Sequence, residues 1–180
     1  MCADGVRSSS MKMVDVGAKA KTERVAIAEG KVWMSPPALA RIQAGTVEKG
    51  DVIAAARLAG IMAAKRTPEI IPLCHPIGLA GVEVQASLEE GGVALLARVK
   101  TVDRTGVEME ALAAVTAAAL TVYDMLKSVD RGMRIDGVQL VHKSGGRSGT
   151  WQRGGPMADP VRAERRRAKP GARAKSREER

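Results

Sequence analysis

The sequence predicts an α+β fold, one antiparallel sheet with its helices on one face. Three observations carry that reading. Residues 106–130, GVEMEALAAVTAAALTVYDMLKSVD, read as one long helix. Residues 80–102 alternate apolar and polar side chains on both sides of Glu89-Glu90-Gly91-Gly92 and read as a hairpin. The elements follow one another as β, α, β, β, α, β, with an extra hairpin and a short helix at the front. That order is the split-βαβ, ferredoxin-like pattern.

Taken in order, residues 1–12 are polar and form a flexible N-terminal tail. Val25–Ala28 and Lys31–Met34 are short apolar runs around Glu29-Gly30, which predicts strand, turn, strand. Ser35-Pro36-Pro37 starts a short helix that ends before Gly45, with Ser as N-cap and Pro in the first turn. Asp51 starts a second helix, with Ile53, Ala56, Gly60 or Ile61, and Ala64 at helical spacing, closed by Pro68. Pro68, Pro72 and Pro76 stiffen residues 68–78 and exclude a helix there. Val82, Val84, Ala86 and Leu88 form one arm of the hairpin, and Val93 to Val102 the other. In the long helix, Leu112, Val115, Ala119, Val122, Leu126 and Val129 share one face. Ala111, Ala114, Ala118 and Met125 line a second strip, so the helix is buried on two sides. Alanine fills much of the remainder and favours the helix. Gly137 to His142 is a last strand. The domain spans 13–151, and residues 152–180 form a basic disordered tail.

Hydrophobic residues make up 45% of the 180, aromatics only 2%, with no Phe. The core is therefore built from Val, Leu, Ile, Met and Ala, which bury little area each. No apolar run reaches the roughly 18–20 residues that cross a bilayer. The first twelve residues lack the apolar stretch of a secretory signal. Cys2 and Cys74 make no disulfide framework. These readings predict a cytoplasmic protein without a membrane partner. From Gln152 onward ten basic residues accompany four acidic ones, so the tail holds +6 of the formal +9. That tail reads either as a solvated extension or as a nucleic-acid arm, and the lack of aromatics among its charges favours the extension. A ferredoxin-like nucleic-acid-binding module with a basic tail is the alternative function. It wants stacking aromatics on the sheet, whereas the single tyrosine, Tyr123, falls in the helix.

His75 lies between Cys74 and Pro76 in the proline-stiffened loop, placed for proton transfer or for a hydrogen bond to a ligand. With two His and two Cys in the chain, and Cys2 in a loose tail, no metal site is predicted, since zinc takes three or four ligands. Spacing alone leaves Asp124 and Lys127 open between a surface ion pair and a catalytic pair. It leaves Glu108 and Glu110 open between ordinary first-turn acids and ligand-binding groups. Glu110 and Asp124 are fourteen residues apart, about 21 Å along a helix. One small reacting centre cannot touch both within one subunit; the ligand is long, or the site is shared with a neighbouring chain. Lys143-Ser144-Gly145-Gly146-Arg147 has the glycines and cations of an anion cradle. The upstream run Gly137-x4-His142-Lys143-Ser144 comes near a P-loop but lacks the second glycine and the following helix. Lys49-Gly50-Asp51 reads as a turn and cap, or as a lysine aimed at a phosphate.

Together these segments resemble the cyclic pyranopterin monophosphate synthase family of molybdenum cofactor biosynthesis. The matching stretches are Met13–Val16, Lys49–Val52, Ala63–Thr67, Ile71–Pro76 (IPLCHP), Thr105–Leu112 (TGVEMEAL), Tyr123–Met125 and Lys143–Gly146 (KSGG). The resemblance implies that Leu73, Cys74, His75, Met109 and Glu110 contact substrate and that Asp124 is catalytic. Lys49, Lys127 and Glu108 match pocket positions, and Arg24 and Lys143 fit triphosphate contacts. It implies a homohexamer, a trimer of dimers with sites at subunit interfaces. The substrate would be a cyclised guanosine triphosphate supplied by a radical S-adenosylmethionine enzyme. No resident cofactor is implied, although magnesium could accompany the triphosphate. Removal of everything after Gln152 is expected to leave turnover of that substrate intact; a large loss would give the tail a role.

Overall fold

Burial along each strand sets the architecture. The computed structural model describes residues 10–154. Among them run β1 (Thr22–Trp33), α1 (Pro36–Gln43), α2 (Val52–Lys65), α3 (Thr67–Ile70), β2 (Leu79–Glu89), β3 (Gly92–Asp103), α4 (Glu108–Leu126), β4 (Arg134–Ser144) and β5 (Trp151–Gln152). The sheet order is β2-β3-β1-β4-β5, and every neighbouring pair is antiparallel. Ala26, Ala28 and Val32 of β1 and Val93, Leu95, Ala97 and Val99 of β3 are buried on one face. α4 covers that face over β1, β3 and β4, while α2 packs on α4 and β2. This is the expected ferredoxin-like α+β arrangement.

α4 is buried on two sides, as its two apolar strips require. Ala111, Ala114, Val115, Ala118, Ala119, Val122, Met125 and Leu126 are all buried. The helix is shorter than the 106–130 reading, and Val129 lies beyond its end and is exposed. Its 19 residues do meet the length and composition of a membrane span, which corrects the reading that no run is long enough. Packing between sheet and α2 accounts for that apolarity, because a helix covered on two sides has no need of a polar face there.

Three further expectations are corrected. Glu29-Gly30 is not a turn: β1 runs unbroken through it, with a register shift against β4 between Glu29 and Lys31. Gly30 serves close approach instead, since a Cβ there would sit 2.8 Å from Val115 Cγ1 of α4. Residues 68–78 do contain helix, the single turn α3. Its Pro68 occupies an opening position, where the missing N–H would have no partner anyway. Finally, β5 pairs with His142 and Lys143, and the Arg153 N–H donates to the Val141 carbonyl at 2.9 Å. Ordered pairing thus reaches Arg153, past the boundary set at 151. The expected flexible segment 1–12 falls largely, and the basic tail almost wholly, outside the described residues.

Gly60 of α2 sits where α2, α4 and β2 meet. A Cβ there would lie 2.9 Å from the Ala114 carbonyl oxygen and 3.1 Å from both Val84 methyls. A mid-helix Gly→Ala change ordinarily stabilises by about 1 kcal/mol. Gly60→Ala is expected to destabilise instead, by about 1–3 kcal/mol through overpacking, read by urea denaturation. A gain in stability would contradict this packing.

Candidate functional site

The polar residues singled out by sequence gather at the two ends of α4. At the C-terminal end, the Asp124 carboxylate lies between two ammonium groups. Lys49 Nζ is 2.6 Å from Oδ2 and Lys127 Nζ 2.7 Å from Oδ1. Lys49 arrives from the loop between α1 and α2. It also donates to the Asp124 carbonyl oxygen at 3.0 Å, which has no partner within the helix so near its end. All three side chains are about half exposed. The bonds from Lys127 and then Lys49 hold the Asp124 carboxyl down at about 2, so it is a fixed anion at neutral pH. The Lys127 ammonium moves up, chiefly through its bond to Asp124. The anion outweighs desolvation, so Lys127 is held in its protonated form in the free site.

At the other end, the proline-rich loop docks on the first turn of α4. Thr101 Oγ1 donates to the Gly78 carbonyl at 2.6 Å and fixes the end of the loop to β3. The Cys74 thiol faces Glu110 Oε1 at 3.4 Å. Glu110 is only 1% exposed, and its Oε2 has no partner. Burial pushes the Glu110 carboxyl up. Burial and then the nearby carboxylate push the Cys74 thiol to about 11. A thiol so raised is a poor nucleophile at neutral pH. His75 is half-buried, while Leu73 and Met109 are exposed around this pair. Two large apolar groups thus lie bare beside a buried carboxyl of which one oxygen, Oε2, has no partner.

A third group stands beside the second. Lys143 Nζ lies 3.8 Å from Glu108 Oε1 and also bonds Ser148 Oγ. Arg24 donates to the carbonyls of Asp103 and Arg104 at 2.9 and 3.0 Å. A cavity of about 500 Å³ opens here, lined by Ala18, Lys19, Ala20, Thr22, Arg24, Gly146, Arg147 and Ser148. Three of those residues are cationic and none is acidic. Gly145 and Gly146 turn with φ of 93° and 70°, and a Cβ on either would strike the backbone at Glu23 or the Arg24 guanidinium. Of the segment read as an anion cradle, Gly146 and Arg147 line this cavity. Lys19 and Thr22, its other wall, carried no sequence signal, because only the return of β4 beside β1 brings them there.

Within one chain the sequence-predicted residues fall into two places. Lys49, Asp124 and Lys127 meet at one end of α4; Leu73, Cys74, His75, Glu108, Met109, Glu110, Arg24 and Lys143 surround the other. Asp124 does not meet His75. Among the described residues no three His, Cys, Asp or Glu side chains cluster as metal ligands.

The body is ferredoxin-like α+β, with a carboxylate clasped by two lysines at one end of α4 and a cation-lined cavity near the other. The chain belongs to the MoaC family, whose profile it matches over residues 13–146. It is 61% identical over 144 residues to a protein of Thermomicrobium roseum named cyclic pyranopterin monophosphate synthase, covering 79% of this chain and 87% of that one. A protein of the same name from Pelotomaculum thermopropionicum is 56% identical over 149 residues, 82% of this chain and 88% of the relative. Another, from Streptomyces avermitilis, is 52% identical over 146 residues, 81% and 86%.

The signs of the two shifts set a pH window. Asp124, depressed, stabilises the fold above its unfolded value of 3.8, and that contribution is lost as pH falls through about 2. Lys127, raised, stabilises below its unfolded value of 10.5 and loses that as pH rises past it. The difference in Tm between wild type and Asp124→Asn is therefore expected to be flat from about pH 4 to 10 and to vanish toward pH 2. A difference that disappears near pH 6 would contradict the arrangement.

Proposed function

We propose that this chain is a cyclic pyranopterin monophosphate synthase, a phosphorus–oxygen lyase of molybdenum cofactor biosynthesis. It converts (8S)-3',8-cyclo-7,8-dihydroguanosine 5'-triphosphate into cyclic pyranopterin monophosphate and pyrophosphate. The observation that carries the residue roles is the Asp124 carboxylate held at 2.6 and 2.7 Å by Lys49 and Lys127. Opening the former imidazole ring and closing the pterin ring move protons at several nitrogens, work that positioned ammonium groups perform. Asp124 stays ionised throughout, so its part is to aim the two lysines and keep Lys127 protonated until substrate displaces it. Cyclic phosphate formation joins a sugar-derived oxygen to the α-phosphorus and breaks the bond to pyrophosphate, which leaves with the electron pair. Fixed cations stabilise that leaving charge, and Arg24, Lys143 and the cavity beside them suit the triphosphate. Leu73, Cys74, His75, Glu108, Met109 and Glu110 form the wall that receives the base-derived part.

The active assembly is a homohexamer, a trimer of dimers, with each site shared between chains. The support is distance: Glu110 and Asp124 stand fourteen residues apart on one straight helix, about 21 Å. Leu58, Ile70 and Leu120 are 62, 62 and 56% exposed and offer apolar surface for contact with further copies. The reading needs no resident cofactor, places the enzyme in the cytoplasm, and takes its substrate from a radical S-adenosylmethionine GTP cyclase. Any magnesium enters with the triphosphate.

Lys49→Ala, Lys127→Ala and Asp124→Asn are each expected to lower turnover of purified cyclised substrate at least about 100-fold with the fold retained by circular dichroism. Near-full turnover in any of them would overturn that residue's role.

A further inference from the structure

Exposed ion pairs stabilise weakly, too weakly to hold a long, half-exposed lysine in one pose. Lys49 therefore needs another source of order. Its loop leaves α1, and α1 begins at Ser35. The Ser35 N–H donates to Asp130 Oδ2 at 2.7 Å, while the Gly132 N–H donates to Oδ1 of the same carboxylate at 2.8 Å. Asp130 is itself tied to α4, its N–H donating to the Leu126 carbonyl at 3.0 Å. Tyr123, next to Asp124, fastens the same turn through its hydroxyl to the Arg131 carbonyl at 3.1 Å. The segment from Ser35 to Lys49 is thus closed into a ring. One end sits on Asp130, the other on Asp124, and both residues belong to one short stretch at the end of α4.

We propose that Asp130 is a positioning residue for the reaction, fixing α1 on the end of α4 so that Lys49 is delivered to Asp124. Asp130 accepts from two backbone N–H groups at 2.7 and 2.8 Å, donors fixed by the chain itself rather than carried on flexible lysine stems. The anchor therefore sets the geometry and the lysine contact follows it. The bonds from Ser35 and Gly132 hold the Asp130 carboxyl below the usual carboxylate range, so the anchor is ionised at neutral pH. The Ser35 side chain makes no cap bond to α1; it faces Asp130 instead, beside the backbone N–H that donates to Oδ2, and Ser35→Pro removes both donors.

The inference rests on the roles given to Lys49 and Asp124, and a mutant cycle separates the two. Asp130→Asn is expected to lower kcat at least tenfold with a smaller change in KM, measured on the full chain with purified cyclised substrate. In a Lys49→Ala background the same change is expected to cost little further, because its effect passes through Lys49. Ser35→Pro approaches from the other side. Ser35 has φ −69° and ψ 155°, which proline adopts, so that variant removes both donors without straining residue 35; it is expected to lower kcat similarly and to be non-additive with Lys49→Ala. Equal fold-losses with and without Lys49, or loss of Tm with kcat unchanged, would overturn the positioning role. Full activity of Lys49→Ala alone would instead overturn the functional reading.

Discussion

The constraint on which the molecule depends is the double burial of α4. A helix wedged between a sheet and a second helix can carry chemistry only at its ends. Small side chains make the wedge close: Gly30 lets the sheet approach Val115, and Gly60 lets α2 approach the Ala114 carbonyl. The consequence is a rigid rod with a lysine-clasped carboxylate at one end and, at the other, a buried glutamate with one oxygen unpartnered. Neither group can drift toward its counterpart, so the spacing between them is a fixed property of the fold.

The electrostatics of the two ends differ in kind. At the C-terminal end charges are exposed and mutually satisfied, so the carboxylate is locked in its ionised form and the nearby lysine in its protonated form. At the N-terminal end the surroundings are drier, and both Glu110 and Cys74 are pushed toward their neutral forms. A substrate spanning such a pair of environments would meet charge stabilisation at one part and uncharged hydrogen-bonding groups at another. The basic cavity beside the glycine turn provides a third environment, suited to phosphate. Trp33 packs beneath the Lys31 ammonium and against Gly91 and offers no stacking platform, whereas Trp151 on the two-residue β5 is exposed with the Arg153 guanidinium over its ring.

Much of this was legible in the sequence, and for identifiable reasons. Period-two burial gave β2 and β3, and helical spacing with alanine gave α2 and α4. Asp51 announced its cap through a bond to the Ala54 N–H at 3.0 Å. What failed were the places where a residue's usual meaning yields to a neighbour far away in sequence. Gly30 reads as a turn until α4 is seen above it, and Pro68 as a breaker until α3 begins there. Of the site, the lysine–carboxylate pair followed from three-residue spacing, whereas Lys49 joined it only through the family resemblance, because its meeting with Asp124 is made across the fold. The cavity wall at Lys19 and Thr22 was equally invisible, being made by strand pairing.

The claim that one reaction uses both ends of α4, drawn from different chains, is tested most directly by mixing two inactive variants. Asp124→Asn and Glu110→Gln protein, each inactive alone, would be unfolded together, refolded and assayed for turnover. The account predicts that activity reappears, because some sites then pair an intact Asp124 from one chain with an intact Glu110 from another. Absence of any recovery, with mixed assemblies verified by mass, would contradict it and confine each site to a single chain.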